Sequence, residues 1–565
     1  MPKQPTGTAH LRAVLFLVKG EWHGMWYNKH VSLCFSKEKH IERSLQMSFS
    51  NVQSRRLWQG AFVLSLAGIL SKILSAVYRV PFQNIVGDVG FYIFQQVYPM
   101  IGISVMLATS GFPVIISKLL NDFGPGSQTK ILRVSMLFIS VVGISFFLLL
   151  FAGAKGIAEL MGDPGLAEVI RAVSYSYLLL PFVSLFRGYF QGNELMLPTA
   201  FSQIGEQLLR VAAILFFTWW LIRNGHSLYD AGAGAAFGSL VGGLTAFLIL
   251  AAFWVKRERN LSNERAGIGT KAILKQLCLY TVAICVTSLM MILIQLVDAL
   301  NLYSLLAGQG IGELEAKHTK GVYDRGQPLL QLGTVFAASI STALVPSLTK
   351  AKKQQQMTEV REKTRYSLKM SLVIGIGAAA GLICILEPVN TMLFKNSEGT
   401  AALQIFSVSI FFASLAMTIT AVLQGLGDTF FPAASVLSGF FLKAVLNVML
   451  IPAFGISGAA SATVMSFAAV AGLNLFRLNR NGLFKLSDYR IAGMAVSAMI
   501  MSAVLLIWLY AFEAVIPQES RWLSAVESMT AVFIGGGAYL FSILKCRVFT
   551  EKELELVPFV SKLLR

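Results

Sequence analysis

Apolar stretches alternate with short polar connections along almost the whole chain. They fall at about residues 60–82, 90–117, 131–154, 166–189, 199–222, 231–255, 272–300, 321–348, 366–387, 400–423, 430–452, 456–476, 491–512 and 522–544. Each is long enough to cross a bilayer, since roughly 20 apolar residues in a helix span about 30 Å of hydrocarbon. Backbone in lipid must satisfy its own hydrogen bonds, which makes these stretches helices. The pattern therefore predicts an all-α polytopic membrane protein with about 14 transmembrane helices.

The connections carry a sign. Every second one is rich in cations: Lys118, Lys130 and Arg133; Lys256, Arg257, Arg259 and Arg265; Lys350, Lys352, Lys353, Arg361, Lys363 and Arg365; Arg477, Arg480, Lys485 and Arg490. The intervening ones are poor in Lys and Arg and hold Asp88, Asp163, Glu313, Glu315 and Glu398. Cationic loops stay inside, so both termini are expected in the cytoplasm, in agreement with an even number of spans.

A repeat organises the spans. Gln191-Gly192, followed by Pro198, matches Gln424-Gly425, followed by Pro432, and the same offset of 233 carries Arg210 onto Lys443. Thr109-Ser110-Gly111 before Lys118 answers Ile340-Ser341-Thr342 before Lys350, and Gly234-Ala235-Ala236 answers Gly458-Ala459-Ala460. The loop signs make six-with-six the consistent pairing. The expected organisation is a basic tail (1–56), a six-helix bundle (57–255), a cytoplasmic linker (256–271), a second six-helix bundle (272–476), two extra spans (477–545) and a cytoplasmic tail (546–565). Like-oriented halves imply a pseudo-twofold axis along the membrane normal, with a site at their interface.

Composition narrows the class. Of 565 residues 55% are hydrophobic and 13% charged, with a mean hydropathy of +0.65, whereas soluble chains carry about 25% charged residues. The net charge of +18 follows from the positive-inside bias and calls for no nucleic acid. Cys34, Cys278, Cys285, Cys384 and Cys546 stand at no metal-ligand spacing and are expected to be reduced. Four of the six histidines precede Gly60, and the set builds no catalytic or metal site. The tail before Arg56 admits two readings: a basic segment lying near the inner leaflet, or sequence upstream of a natural start at Met47.

The candidate chemistry lies in charges inside the spans. Lys72 and Arg79 are seven residues apart, close to two turns, and share a helix face. An intramembrane cation is costly and by default faces a polar cavity or a partner. Arg325 stands near the start of its span, as cavity residue or interfacial anchor, with Asp324 beside it as partner or solvated end. Asp298 ends its span where Arg79 ends the first, which makes an Arg79–Asp298 ion pair one expectation and an exposed helix-end carboxylate the other. Glu206 and Arg210 have the favourable i,i+4 order for a pair within one helix. Lys443 has no acidic neighbour in sequence, and Arg187 is expected near the inner mouth. The Gly/Ala/Ser runs at 231–243 and 455–463 suit close helix packing.

Tyr323-Asp324-Arg325 opening a span that ends in Ala343-Leu344-Val345-Pro346-Ser347-Leu348-Thr349-Lys350 resembles the eighth helix of the MurJ lipid II flippases. Ser71-Lys72 and Tyr78-Arg79 resemble the first-helix basic positions of that family, and Gln424-Gly425 through Gly427-Asp428-Thr429 and Pro432 resembles its tenth-to-eleventh-helix turn. The resemblance runs from about Arg56 to Arg547 and is nearest to the stage V sporulation protein B and polysaccharide biosynthesis branch. The wider superfamily also contains multidrug exporters. It implies transport of an undecaprenyl-diphosphate-linked cell-wall precursor to the outer leaflet of a bacterial plasma membrane, with Lys72, Arg79 and Arg325 toward the diphosphate. One departure is the absence of any Lys or Arg from 90–117, where the family has an arginine; the anion site is then either weaker or borrows a cation such as Lys443.

The leading expectation is thus a flippase working by alternating access, with Lys72, Arg79, Arg325 and Lys443 holding substrate. Asp298, Glu206, Arg210 and Asp324 are assigned to coupling or ion pairing. No cofactor is expected, and Na⁺ or H⁺ as a coupling ion is left open. Expected partners are the polyprenyl-linked glycolipid, membrane lipids and cell-wall synthesis proteins, around a monomer. A drug/cation antiporter would need more buried carboxylate than cation, the reverse of what the spans hold. A non-transporting scaffold for cell-wall or spore-coat assembly is the third reading. No nucleophile–base set or phosphate-binding glycine loop suggests an enzyme.

Overall fold

The computed structural model describes residues 63–256, 269–515, 520–550 and 553. The basic tail with Met47 and Cys34, most of the 256–271 linker and most of the 546–565 tail lie outside the described residues. Among those described there is no strand.

Among the described residues twelve helices are long and apolar enough to cross a membrane. In chain order the elements are α1 (Val63–Phe123), α2 (Gln128–Leu160), α3 (Leu166–Gly192), α4 (Met196–Arg223), α5 (Leu228–Lys256), α6 (Thr270–Ser288) and α7 (Met290–Ala307). Then come α8 (Glu313–Asp324) and α9 (Gly326–Lys353), which are outside the twelve. α10 (Met357–Phe394), α11 (Thr400–Gly425), α12 (Phe430–Arg480), α13 (Leu486–Val515) and α14 (Arg521–Lys545) complete the chain.

This count differs from the expected fourteen for a physical reason. α1 and α12 each take up two of the predicted stretches, because no loop separates them. A straight helix of 61 residues would be about 90 Å long, three times the hydrocarbon core. α1 instead reverses at Gly87, whose φ of 69° is open to glycine at little cost. Phe82 then meets Phe94 at 4.8 Å between ring centres, and Ser75 reaches Tyr98 at 3.5 Å. α12 has the same kind of break at Gly455, with φ 55°. Conversely, the predicted stretch 272–300 is divided between α6 and α7.

The internal repeat is visible in the backbone. Left-handed residues close helices at matching places: Gly124 and Gln355, 231 apart; Gly162 and Lys395, 233 apart; Glu194 and Gly427, 233 apart; Gly225 and Gly455, 230 apart. A non-glycine residue rarely adopts this conformation, yet Gln355, Lys395 and Glu194 do so where the corresponding residue is glycine. Positive φ thus recurs at these places although the side chains differ.

The small-residue runs do what their composition predicts. A methyl group on Gly242 would lie 2.8 Å from Arg210 Cβ and 2.9 Å from Glu206 O, so α5 crosses α4 in near backbone contact beside that charged pair. In the second run a methyl on Gly458 would lie 2.3 Å from Leu450 O, so the two arms of α12 approach closely at their turn. At the end of the described chain, Lys369 Nζ bonds Glu553 at 2.8 Å. Burial pushes the Glu553 carboxyl up, but the Lys369 bond and the Thr550 N–H outweigh it and hold the group below its usual range.

Candidate functional site

Charged side chains from both halves are buried within the bundle, and most are matched. In the first half Arg187 of α3 donates through Nη2 to Glu206 Oε2 at 2.7 Å, through Nε to Ser202 Oγ at 3.0 Å and through Nη1 to Thr109 Oγ1 at 3.0 Å. Arg210 binds the other oxygen of Glu206 and donates to Gln207 Oε1 at 3.2 Å. The i,i+4 pair within α4 is present as expected, but a second arginine shares its carboxylate. Arg187 is fully buried.

In the second half Lys443 Nζ of α12 lies 2.5 Å from Asp298 Oδ2 of α7. Asn447 Nδ2 donates to Asp298 Oδ1 at 3.0 Å, and Tyr323 OH to Asp298 Oδ2 at 3.0 Å. Asp298 is 1% exposed and Lys443 0%. Two expectations therefore fail. Asp298 is neither a surface carboxylate nor the partner of Arg79, and Lys443 is not an unmatched cation available to replace the missing second-helix arginine. Its partner is 145 residues away in sequence, so no local pattern could reveal it.

Arg325 sits at the turn between α8 and α9, fully buried. It grips Asp88 of α1 with Nε to Oδ1 at 2.9 Å and Nη2 to Oδ2 at 2.7 Å. Its Nη1 donates to Asn396 Oδ1 at 2.6 Å and Asn390 Oδ1 at 3.3 Å. Such a two-pronged grip suits a planar guanidinium, and it clasps the first half to the second. The clasp needs close backbone approach: a methyl on Gly321 would come within 2.1 Å of Asp88 O. Asp324 is neither the partner of Arg325 nor a solvated end. It is buried and accepts from Lys320 Nζ at 2.7 Å, one turn earlier in α8.

Two cations remain. Arg79 is 2% exposed, yet among the described residues no carboxylate lies within ion-pair distance of it. Its guanidinium carbon stands 4.0 Å from the centre of the Tyr98 ring, and its Nε has no hydrogen-bond partner. Lys72, on the same arm of α1, is half-buried and also lacks an ion-pair partner among the described residues. Nearby on the returning arm, Gln95 and Gln96 are buried with both amide atoms of each unpartnered. They occupy the stretch that lacks the family arginine.

The balance is electropositive. Among the described residues the buried cations are Arg79, Arg187, Arg210, Lys320, Arg325, Lys369 and Lys443 and the buried carboxylates Asp88, Asp163, Glu206, Asp298, Asp324 and Glu527, a small excess to which half-buried Lys72 adds. Asp88 and Lys320 were missed by sequence reasoning. The Lys320–Asp324 spacing was readable as an i,i+4 pair, whereas nothing around Asp88 announces a partner 237 residues away.

A bundle of apolar helices with a charged interior shared by two repeated halves defines a membrane transporter of multi-pass type. The chain belongs to the polysaccharide biosynthesis protein family, whose model matches residues 57–352, and residues 283–449 match the MatE model. It is 55% identical over 516 residues to the "Uncharacterized membrane protein YabM" of Bacillus subtilis (strain 168), covering 91% of this chain and 97% of that one. It is 26% identical over 518 residues to the "Lipid II flippase MurJ" of the same organism, covering 86% and 95%. In fold it is similar to "Lipid II flippase MurJ, inward closed conformation", with a TM-score of 0.63 at 14% identity over 89% of this chain and all of that one. The superfamily assignment and the transporter class are therefore established for this chain.

Proposed function

We propose that this protein moves a polyprenyl-diphosphate-linked glycan from the inner to the outer leaflet by alternating access. The observation that carries the reading is Arg79, a deeply buried cation with no carboxylate partner among the described residues, in a core where the described buried cations slightly outnumber the carboxylates. An unpaired intramembrane charge is expensive to retain, and a diphosphate entering between the halves would supply the missing anion. Lys72 lies two turns from it on the same helix face and offers a second contact. Gln95 and Gln96 would donate amide N–H groups where the family uses an arginine. Arg325, matched by Asp88 of the first half, acts in this scheme by holding the two halves in register, whereas Lys443, matched by Asp298, ties α12 to α7 within the second half.

The relative called a lipid II flippase supports this cargo class, and it leaves the glycan open. Reconstitution into liposomes with fluorescent lipid II, and in parallel with one other polyprenyl-diphosphate glycan, tests the proposal. Protein-dependent leaflet exchange of at least one is expected. Exchange of neither, together with gradient-driven movement of a cationic dye, would overturn it in favour of the antiporter reading.

The orientation follows from the loop charges. The Lys350–Arg365 connection faces the cytoplasm in this scheme, and the end bearing Asp88, Asp163, Glu313 and Asn396 faces outward. Single-cysteine labelling on a cysteine-free background is expected to leave position 353 protected from an impermeant reagent in intact cells and to label position 313. The opposite pattern would reverse the map.

A further inference from the structure

Beside the Arg325–Asp88 clasp lies a group that the transport reading does not use. His318 of α8, Asp88 of α1 and Glu398 of the turn between α10 and α11 converge, with one ligand atom from each within 4.8 Å of the others. His318 Nε2 is 3.6 Å from Asp88 Oδ2 and 3.5 Å from Glu398 Oε2. Two ligands each about 2.1 Å from a tetrahedral zinc ion are themselves about 3.4 Å apart. The spacing thus admits such an ion with little movement.

The lone pairs favour it as well. Asp88 Oδ1 accepts from Gln83 Nε2 at 3.0 Å and from Arg325 Nε at 2.9 Å. Asp88 Oδ2 accepts only from Arg325 Nη2, so one of its lone pairs is free, and this is the oxygen nearest His318. Gln83 and Arg325 hold the carboxylate in place as outer-shell partners do in metal sites. His318 and Glu398 are partly exposed, which leaves an entry path and room for a water as fourth ligand. An imidazole with two carboxylates suits zinc or cobalt better than calcium or magnesium.

We propose that His318, Asp88 and Glu398 form a binding site for a zinc-like divalent cation that bridges the two halves. Asp88 belongs to the first half and the other two ligands to the second, so the ion reinforces the closure already made by Arg325. Binding only while the three residues stand together stabilises this contact between the halves and opposes their separation at this end. The site is independent of which cargo the protein carries.

The test uses the full chain, purified and freed of any affinity tag, with ZnCl₂ or CoCl₂ as probe. Zinc is expected to raise the midpoint of thermal unfolding, and Co²⁺ to give the visible absorption of a tetrahedral site. His318→Ala and Glu398→Gln should each weaken the zinc effect at least about tenfold and abolish that absorption, with unchanged metal-free stability. Asp88 is left intact because it also serves the clasp. An equal zinc response in wild type and both variants would assign binding to other histidines and overturn the site. So would the absence of any response in the wild type.

Discussion

Arg79→Ala is expected to reduce leaflet exchange by roughly tenfold to a hundredfold while leaving abundance and thermal stability close to wild type. A charge-assisted hydrogen bond contributes about 1.5–3 kcal/mol, and losing one or two of them from cargo binding gives a factor of that size. Stability should hold because, among the described residues, Arg79 has no carboxylate to leave stranded; its neighbours are the neutral phenols of Tyr78 and Tyr98. Arg79→Lys should keep part of the activity, since charge survives but the planar donor geometry does not. Asp298→Asn does not bear on Arg79, because Asp298 is held by Lys443. Full exchange in the Arg79→Ala protein would remove this residue from the binding role.

Asp298→Asn is expected to behave in the opposite way. It strands the ammonium of Lys443 in a site with no exposure, and breaking a buried ion pair from one side costs about 3–5 kcal/mol. The protein should unfold at lower temperature, with transport falling in proportion to folded protein. Replacing both residues, as Asp298→Asn with Lys443→Met, should recover most of the stability, because an uncharged pair of similar volume is tolerated where a lone charge is not. Thermal unfolding of the purified single and double variants decides the matter. No recovery in the double variant would mean that the pair itself, beyond its neutrality, is required.

These two expectations diverge only because the structure separates the cations into two kinds. In sequence, Arg79, Arg325 and Lys443 look alike: each is a cation inside an apolar stretch. In the bundle, Arg325 and Lys443 meet aspartates from distant helices, and Arg79 meets none among the described residues. The Glu206–Arg210 pair was legible because helical periodicity puts residues four apart on one face. That Arg187 joins it from another helix was not legible, since periodicity says nothing about neighbours across an interface. His318 was passed over for the same reason, its companions coming from two other elements.

The sequence by itself determined the membrane setting, the helical class, the doubled plan and the family. Each of these rests on one-dimensional regularities: the length of apolar runs, the sign of the loops, and an offset near 230 that recurs along the chain. The helix count in continuous segments was decided by tertiary structure, because a glycine at Gly87 or Gly455 can reverse a chain without a polar loop to mark it. Tertiary structure also decided the charge pairing. In a low-dielectric interior a cation is governed by whatever carboxylate lies within about 4 Å, and that neighbour is set by how helices from both halves pack.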